Sequence, residues 1–437
     1  MIQLAIWIAA CAAIAFFTRN RPMVAVGLAT TLWFIVPAIG GTVITGQASG
    51  PLSSHPASWL VLMTFAMQCI YSGKKLTQVL ARNILLYLVL VVVLAVAYVN
   101  TRYGTYGGGT VLLLDQILVP TLMFMLINLA ATRRSLLRLR TLFIVLTATV
   151  VIVAIVQWSV KDTVFYSQEF AQQYWYNPKF DRWMGTLDQP LALSLVVCTV
   201  TPLLAAVRRW YLRIPLLALM VIGALVSQSR LGIALVLLGV VYVTVTTATT
   251  AVQRMAGITL VGGSAVALAF SPLAAGLLGR LQDDTGSTRA RELAIDFFAT
   301  NWGDYLLVGR GISSSYRVGS AAGLGTSLES SILMYSIDIG IIFALLYFGS
   351  MAYLLVRYRH SALIRGSWLA GLLVLIIPMT YSALATRSVA GILVWGMLGL
   401  VTAASQLRDS ESALDAADHV EVGRRVQVGD HAIVARS

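Results

Sequence analysis

Charge is what this chain has least of. Only 11% of its 437 residues are Asp, Glu, Lys or Arg, while 58% are hydrophobic. A soluble domain carries roughly 25% charged residues, so a soluble globular protein is excluded. Histidine is scarce, with four residues, and cysteine scarcer, with three. Cys11, Cys69 and Cys198 all sit in apolar runs. They read as core packing, because a metal site needs clustered His and Cys. The first apolar run, Ile2 to Phe17, lacks a basic flank and a small-residue cleavage site. It is therefore expected to stay as a membrane span rather than be removed as a signal peptide. Obvious internal repeats, a frequent transporter signature, are missing too.

What fills the chain instead is a series of apolar runs, each about the length that crosses a bilayer. They predict spans near 2–17, 23–45, 57–71, 84–99, 109–130, 141–159, 190–207, 214–229, 231–248, 256–275, 330–356, 367–384 and 388–405. The expected fold is an all-α integral membrane protein of about 12–13 transmembrane helices with two long external loops, the larger partly helical. The net charge of +13 does not point to nucleic acid, because its distribution is topological. The alternate loops TRNRP, SGKKLTQVLARN, ATRRSLLRLR, RRWYLR, AVQRM and VRYRHSALIRG hold 16 Lys and Arg and no acid. The positive-inside rule makes these loops cytoplasmic. The membrane domain then covers 1–405, and 406–437 is a cytoplasmic, flexible tail of mixed charge. The other face receives the loops 160–189 and 276–329. In the second, RARELAIDFFATNW predicts an amphipathic helix that groups Leu293, Phe297 and Phe298, with Ile295 and Trp302 nearby.

The polar clusters all fall on that external side. GTLDQP (185–190) enters a span. SQSRLG (227–232) links two spans and carries Arg230, and GSTRAR (286–291) carries Arg289 and Arg291. Arg310 lies in a GRG turn, Glu329 at the mouth of an apolar segment, and Arg387 in ATRS (385–388). Several arginines with one carboxylate suit an anionic substrate, because guanidinium binds phosphate bidentately and keeps its charge. Trp175 and Tyr176 of the YWY stretch, with Trp183, are placed to stack on sugar rings. Each residue also has a plainer reading. Arg230 can snorkel to head groups, Arg387 can anchor at the interface, and the aromatics can form an interfacial belt. Glu329 can serve as an N-terminal helix acid, with Ser327 as N-cap. Asp115 and Asp338, inside spans, read as hydrogen-bonded between helices, or protonated, rather than as proton relays, and Asp338 lies too deep to share Glu329's site and reads as structural.

The order of these clusters resembles the core of the O-antigen ligase and polymerase family over roughly residues 185–350. Members carry a Gly-Thr-x-x-x-Pro-like entry, a span ending in Ser-Arg-Gly, an external loop with Ser-Gly-Arg and a Gly-x-Gly turn, and then His-Asn-Ser-x-x-Leu followed by Gly. Arg230 matches the Arg of Ser-Arg-Gly, with Leu231 intervening before Gly232. Arg289 matches the loop arginine, with Thr288 where Gly is common. Gly309 and Gly311 match the turn, and Leu333 and Gly340 the last motif. Glu329 stands where many ligases have His, which sets polymerase ahead of ligase.

The resemblance implies a multi-pass glycosyltransferase of the bacterial cytoplasmic membrane with its active site on the external face. It would transfer glycan from undecaprenyl diphosphate to a sugar hydroxyl. The acceptor is another lipid-linked repeat for a polymerase, and a lipid or cell-wall acceptor for a ligase. It implies no cofactor and no metal. Partners would be the lipid-linked oligosaccharide donor, the glycan acceptor, membrane lipids and other polysaccharide assembly proteins, with no nucleic acid. In that reading Arg230 and Arg289 stabilise the leaving diphosphate and Glu329 is the base. Arg291, Arg310, Arg387, Trp175 and Tyr176 bind diphosphate or glycan. A lipid-linked oligosaccharide flippase and a non-catalytic assembly scaffold are the rivals from other classes. A flippase calls for charge near the midplane, whereas the arginines here gather at one surface.

Overall fold

Apolar helices form nearly every described element, because a backbone in lipid must satisfy its own hydrogen bonds. The computed structural model describes residues 1–104, 109–173, 176, 181–248, 250–252, 254, 255, 257–259, 262, 263, 285–324, 328–359 and 363–409, without the side chains of 285–288 and 290. The predicted span at 256–275 and the tail from 410 lie largely or wholly outside these residues. Among those described there is no strand, and the chain is an all-α polytopic membrane protein.

Among the described residues, six helices are long and apolar enough to cross a membrane: Ile84–Tyr103, Thr110–Leu129, Arg133–Val160, Trp210–Ser227, Arg230–Thr247 and Ala390–Asp409. Five shorter apolar helices accompany them: Ile2–Phe17, Pro56–Tyr71, Pro190–Ala206, Ile341–Arg357 and Ser367–Thr380. Ala390–Asp409 runs through the centre, with 89% of its apolar stretch buried. Its Gly391 allows close approach, since a Cβ there would lie 2.8 Å from Gln116 Oε1. Beside it, Trp395 Nε1 donates to the Tyr347 hydroxyl at 3.0 Å, and Tyr347 stacks on Tyr335.

Several predicted spans are not simple rods. The run 23–45 is a bent pair, Pro22–Ile35 and Ala38–Thr45, meeting at 99°. Pro37, between them, cannot continue a helix. Within Thr110–Leu129 the turn at Leu114–Leu118 widens to a π-turn. Pro120 has no amide to bond the Gln116 carbonyl four residues back; the Tyr347 hydroxyl approaches that carbonyl instead, at 3.4 Å.

The run 330–356 is two helices, Ser331–Ile339 and Ile341–Arg357, broken at Gly340, whose φ is +98°. The break accommodates an extended strap, Leu306 to Gly311. Arg310 N donates to Ile337 O and Gly311 N to Asp338 O, each at 2.9 Å, and Ile342 N donates to Leu306 O at 3.3 Å.

Hydrogen bonds across the bundle define two ends. At one, Gln68 Nε2 donates to Arg19 O at 2.8 Å and the Tyr358 hydroxyl to Asn83 Oδ1 at 2.9 Å. This is the end of the basic loops. At the other, Asn100 Nδ2 donates to Ile339 O at 3.2 Å and Gln157 Nε2 to Gly185 O at 2.8 Å. That end carries the polar clusters.

Candidate functional site at the polar end

The GTLDQP segment seals the broken helix. Bending at Pro37 strands backbone groups that lipid cannot satisfy. The Thr186 hydroxyl donates to Phe34 O. His55 Nε2 donates to Val36 O at 2.9 Å, and Ala38 N donates to Asp188 Oδ1 at 2.6 Å. His55 also stacks on Trp33, with centroids 3.7 Å apart, and its Nδ1 accepts from Ala57 N at 3.2 Å. With Nε2 donating and Nδ1 accepting, His55 is a neutral imidazole with both nitrogens used.

Next to this seal sits a fully buried acid. Asp115 accepts from the Ser58 hydroxyl at 2.7 Å, from His55 N at 3.1 and 3.2 Å, and from Arg387 Nε at 3.1 Å. Arg387 Nη2 also donates to Ser53 O at 2.7 Å, and its side chain keeps 29% exposure. The reading of Arg387 as an interfacial anchor is thus corrected: a buried carboxylate holds it inward. Asp115 is hydrogen-bonded between helices, one of the two states its position in a span predicted.

The surface of the same end carries a second pair. Arg291, on the helix Thr285–Asn301, donates from Nε to Glu329 Oε2 at 3.0 Å. The two side chains are 53% and 25% exposed, so the carboxylate is shielded but reachable. Glu329 has a φ of +47° and precedes the helix Ser331–Ile339, whose N-cap is Ser330. That corrects the reading of Glu329 as a first-turn acid, since its carboxylate goes to Arg291. Ser327 lies outside the described residues. The start of this helix is tied to the Arg387 segment: the Ser331 hydroxyl donates to Tyr381 O at 2.9 Å and accepts from Leu384 N at 3.1 Å. The Tyr381 hydroxyl in turn donates to Leu191 O at 3.3 Å, joining the GTLDQP entry.

Other predicted residues are placed as follows. Arg310 is half-buried and lies over the Tyr305 ring at 5.9 Å. Its turn is fixed by Asp338, which is buried and accepts from Ser315 N at 2.7 Å and Ser313 N at 3.0 Å. Asp338 thus has the structural role expected of it. Arg289 is exposed on the Thr285–Asn301 helix, and half-buried Arg230 opens the Arg230–Thr247 helix. Ser229 caps that helix by accepting from Gly232 N at 3.2 Å.

The amphipathic helix exists over Thr285–Asn301. Only part of its apolar set faces the core: Ala294 is buried and Phe297 and Phe298 half-buried, whereas Leu293, Ile295 and Trp302 are 46%, 58% and 52% exposed. Trp175 lies outside the described residues. The Tyr176 hydroxyl donates to Asp162 Oδ1 at 3.4 Å, and burial pushes that hydroxyl up. Trp183 is fully buried and donates to Asp181 Oδ1 at 2.9 Å, so it packs the core and cannot stack on a glycan.

Sequence reasoning did not single out His55, Ser58 or Asp188. His55 and Asp188 share a signal, a polar residue one or two places before a proline that opens an apolar helix, in SHP and DQP, and Ser58 lies two residues past the first of these prolines. Among the described residues no group of His, Cys, Asp and Glu could hold a metal ion. No protein-family profile matches this chain, and no curated protein matches it.

Proposed function

We propose that the chain is a glycosyltransferase of the bacterial cytoplasmic membrane that polymerises lipid-linked polysaccharide repeats on the external face. The observation that carries this reading is the Arg291–Glu329 pair at 3.0 Å. It sits at the polar end, with exposed Arg289 on the same helix as Arg291. The ordered motifs of the O-antigen ligase and polymerase family, and the basic loops at the opposite end, support it.

In the reaction, a sugar hydroxyl of the acceptor gives its proton to Glu329 as its oxygen bonds to the anomeric carbon of the donor. The bond from that carbon to the diphosphate oxygen breaks, and undecaprenyl diphosphate leaves. Negative charge grows on the leaving oxygen, so fixed guanidinium groups accelerate the step. Arg230 and Arg289 are assigned to the diphosphate. Arg291 orients Glu329, and Arg310, Arg387, Trp175 and Tyr176 are assigned to binding diphosphate or glycan. No cofactor is required, because the lipid diphosphate is already a good leaving group.

A ligase acting on a lipid or cell-wall acceptor differs only in what supplies the hydroxyl. The flippase reading gains one observation, the buried Asp115–Arg387 pair. Asp115 is five residues into its helix, however, only about 7–8 Å from the helix start at 1.5 Å per residue. That is near one end rather than at the midplane, where alternating access needs its charges.

The test is polysaccharide size in a deletion strain complemented with wild type, Arg289→Ala or Glu329→Gln. Single repeats accumulating on the carrier in both variants, with protein levels normal, is the expected result. Long chains that stay on the carrier would mean a ligase. Unchanged chains in both variants would overturn the enzymatic assignment.

A further inference from the structure

At the basic end of the bundle, two arginines bond neighbouring backbone carbonyls, and no acid among the described residues pairs with them. Arg140, on Arg133–Val160, donates from Nη1 to Ala206 O at 3.5 Å. Arg213, on Trp210–Ser227, donates from Nη1 to the next carbonyl, Val207 O, also at 3.5 Å. Adjacent residues have Cα atoms about 3.8 Å apart, so both arginines are tied to one short stretch of backbone. The Ala206 carbonyl closes the 3-10 turn Thr201–Ala206, which packs against both helices, and Val207 follows it in extended backbone. A single turn end offsets only part of the charge.

Both arginines are half-buried, which weakens the screening of their repulsion. Arg140 Nε is buried and has no hydrogen-bond partner among the described residues. No carboxylate of the described residues pairs with either arginine, and exposed Arg208 and Arg209 add charge at the rim. Such an arrangement leaves an unfilled demand for an anion.

The surroundings identify the anion. Trp210 and Tyr211 are 66% and 53% exposed, and Leu212 and Ile214 are 45% and 44% exposed. Exposed aromatics beside exposed aliphatics mark the level where head groups meet acyl chains. Arg213 lies three residues after Trp210, on the same helical face. Basic pockets between transmembrane helices at this level suit anionic head groups. We infer that Arg140 and Arg213, rimmed by Arg208 and Arg209, bind the phosphate of an anionic membrane phospholipid between the Arg133–Val160 and Trp210–Ser227 helices. This site is independent of the glycosyltransferase reading.

The test extracts the full-length protein from membranes of equal phosphatidylglycerol and phosphatidylcholine, and counts retained lipids by native mass spectrometry. Wild type retains phosphatidylglycerol about tenfold over phosphatidylcholine, on the scale expected when one or two arginines engage an anionic head group. The preference falls toward parity in Arg140→Gln/Arg213→Gln and persists in Arg133→Gln/Arg134→Gln, whose sites are exposed on the same helix. If the first double variant does not fold, Arg140→Lys is read instead. It keeps the charge, loses the fork of donors, and is expected to lower the preference. Parity in wild type overturns the site, whether the acidic residues of the tail or nothing occupies it. An unchanged preference in the folded Arg140 variants overturns it as well. Displacement of the lipid by millimolar inorganic phosphate would assign the anion to a free phosphate instead.

Discussion

Arg387 and Asp115 lie 272 positions apart in sequence, yet Arg387 Nε donates to Asp115 Oδ2 at 3.1 Å, with the carboxylate wholly buried. Removing one partner leaves the other charge uncompensated, which for buried pairs costs about 3–5 kcal/mol. Asp115→Ala and Arg387→Ala are each expected to lower the unfolding temperature in detergent markedly. The double variant Asp115→Ala/Arg387→Ala is expected to lose less than the two single losses combined, because no charge is stranded. Additive losses across such a cycle would mean that the two side chains do not depend on one another.

The Arg291–Glu329 pair makes the opposite prediction. Both groups are partly exposed, at 53% and 25%, and an ion pair in that setting is worth about 0–1 kcal/mol. Glu329→Gln should therefore leave the unfolding temperature within a degree or two of wild type while polymer is lost. Arg291→Ala should leave Glu329 in place but badly oriented, giving shortened chains rather than none. Loss of stability comparable to that of Asp115→Ala would recast the pair as structural.

Gly309 sets the depth of the Arg310 turn. A Cβ there would lie 2.1 Å from Asp338 O and 2.3 Å from the carbon that bears it. The strap cannot retreat easily, because Arg310 N and Gly311 N are both bonded to the facing helix. Gly309→Ala should destabilise by about 1–3 kcal/mol and disturb activity with it. Gly349→Ala is the control: nothing lies within 4 Å of a Cβ there, and an alanine in a helix interior is expected to stabilise by about 0.5–1 kcal/mol. Equal effects at the two positions would contradict the packing of the strap.

Hydropathy made the helical membrane fold legible, because each apolar run must be a helix in lipid whatever its neighbours. The breaks were less legible. Gly340 interrupts an apolar run that reads as one span, and the strap responsible comes from residues 306–311, outside the run. At the candidate site, Glu329 and Arg291 were both visible as residues out of place. That they pair across 38 positions was not, since no periodicity links a loop helix to a span mouth. Arg387 read as an anchor because its partner, Asp115, lies in another span. Trp183 read as a sugar platform because its burial depends on Asp181 and on Val226 O, which accepts from Trp183 N at 3.2 Å.

Asp181 gives a prediction about pH. It fastens the loop that carries Tyr176, with Lys161 Nζ 2.7 Å from Oδ1 and Gln228 Nε2 donating to Asp181 O at 3.1 Å. Burial pushes its carboxyl up, but hydrogen bonds from Lys161 and Trp183 and the Lys161 charge outweigh that and leave it below its ordinary value. A carboxyl with a depressed folded value contributes stability that is complete above its unfolded value, about 3.9, and is lost as pH falls through the folded one. The pair is exposed, so the contribution to global stability is small, below about 1 kcal/mol. The effect is local: cleavage of the 161–189 loop by an acid-active protease should rise as pH drops below about 4. In Asp181→Asn the loop should be nicked faster already above about pH 4, and the acid-dependent rise should vanish. A wild-type rise that survives this substitution would place the titrating group elsewhere in the loop.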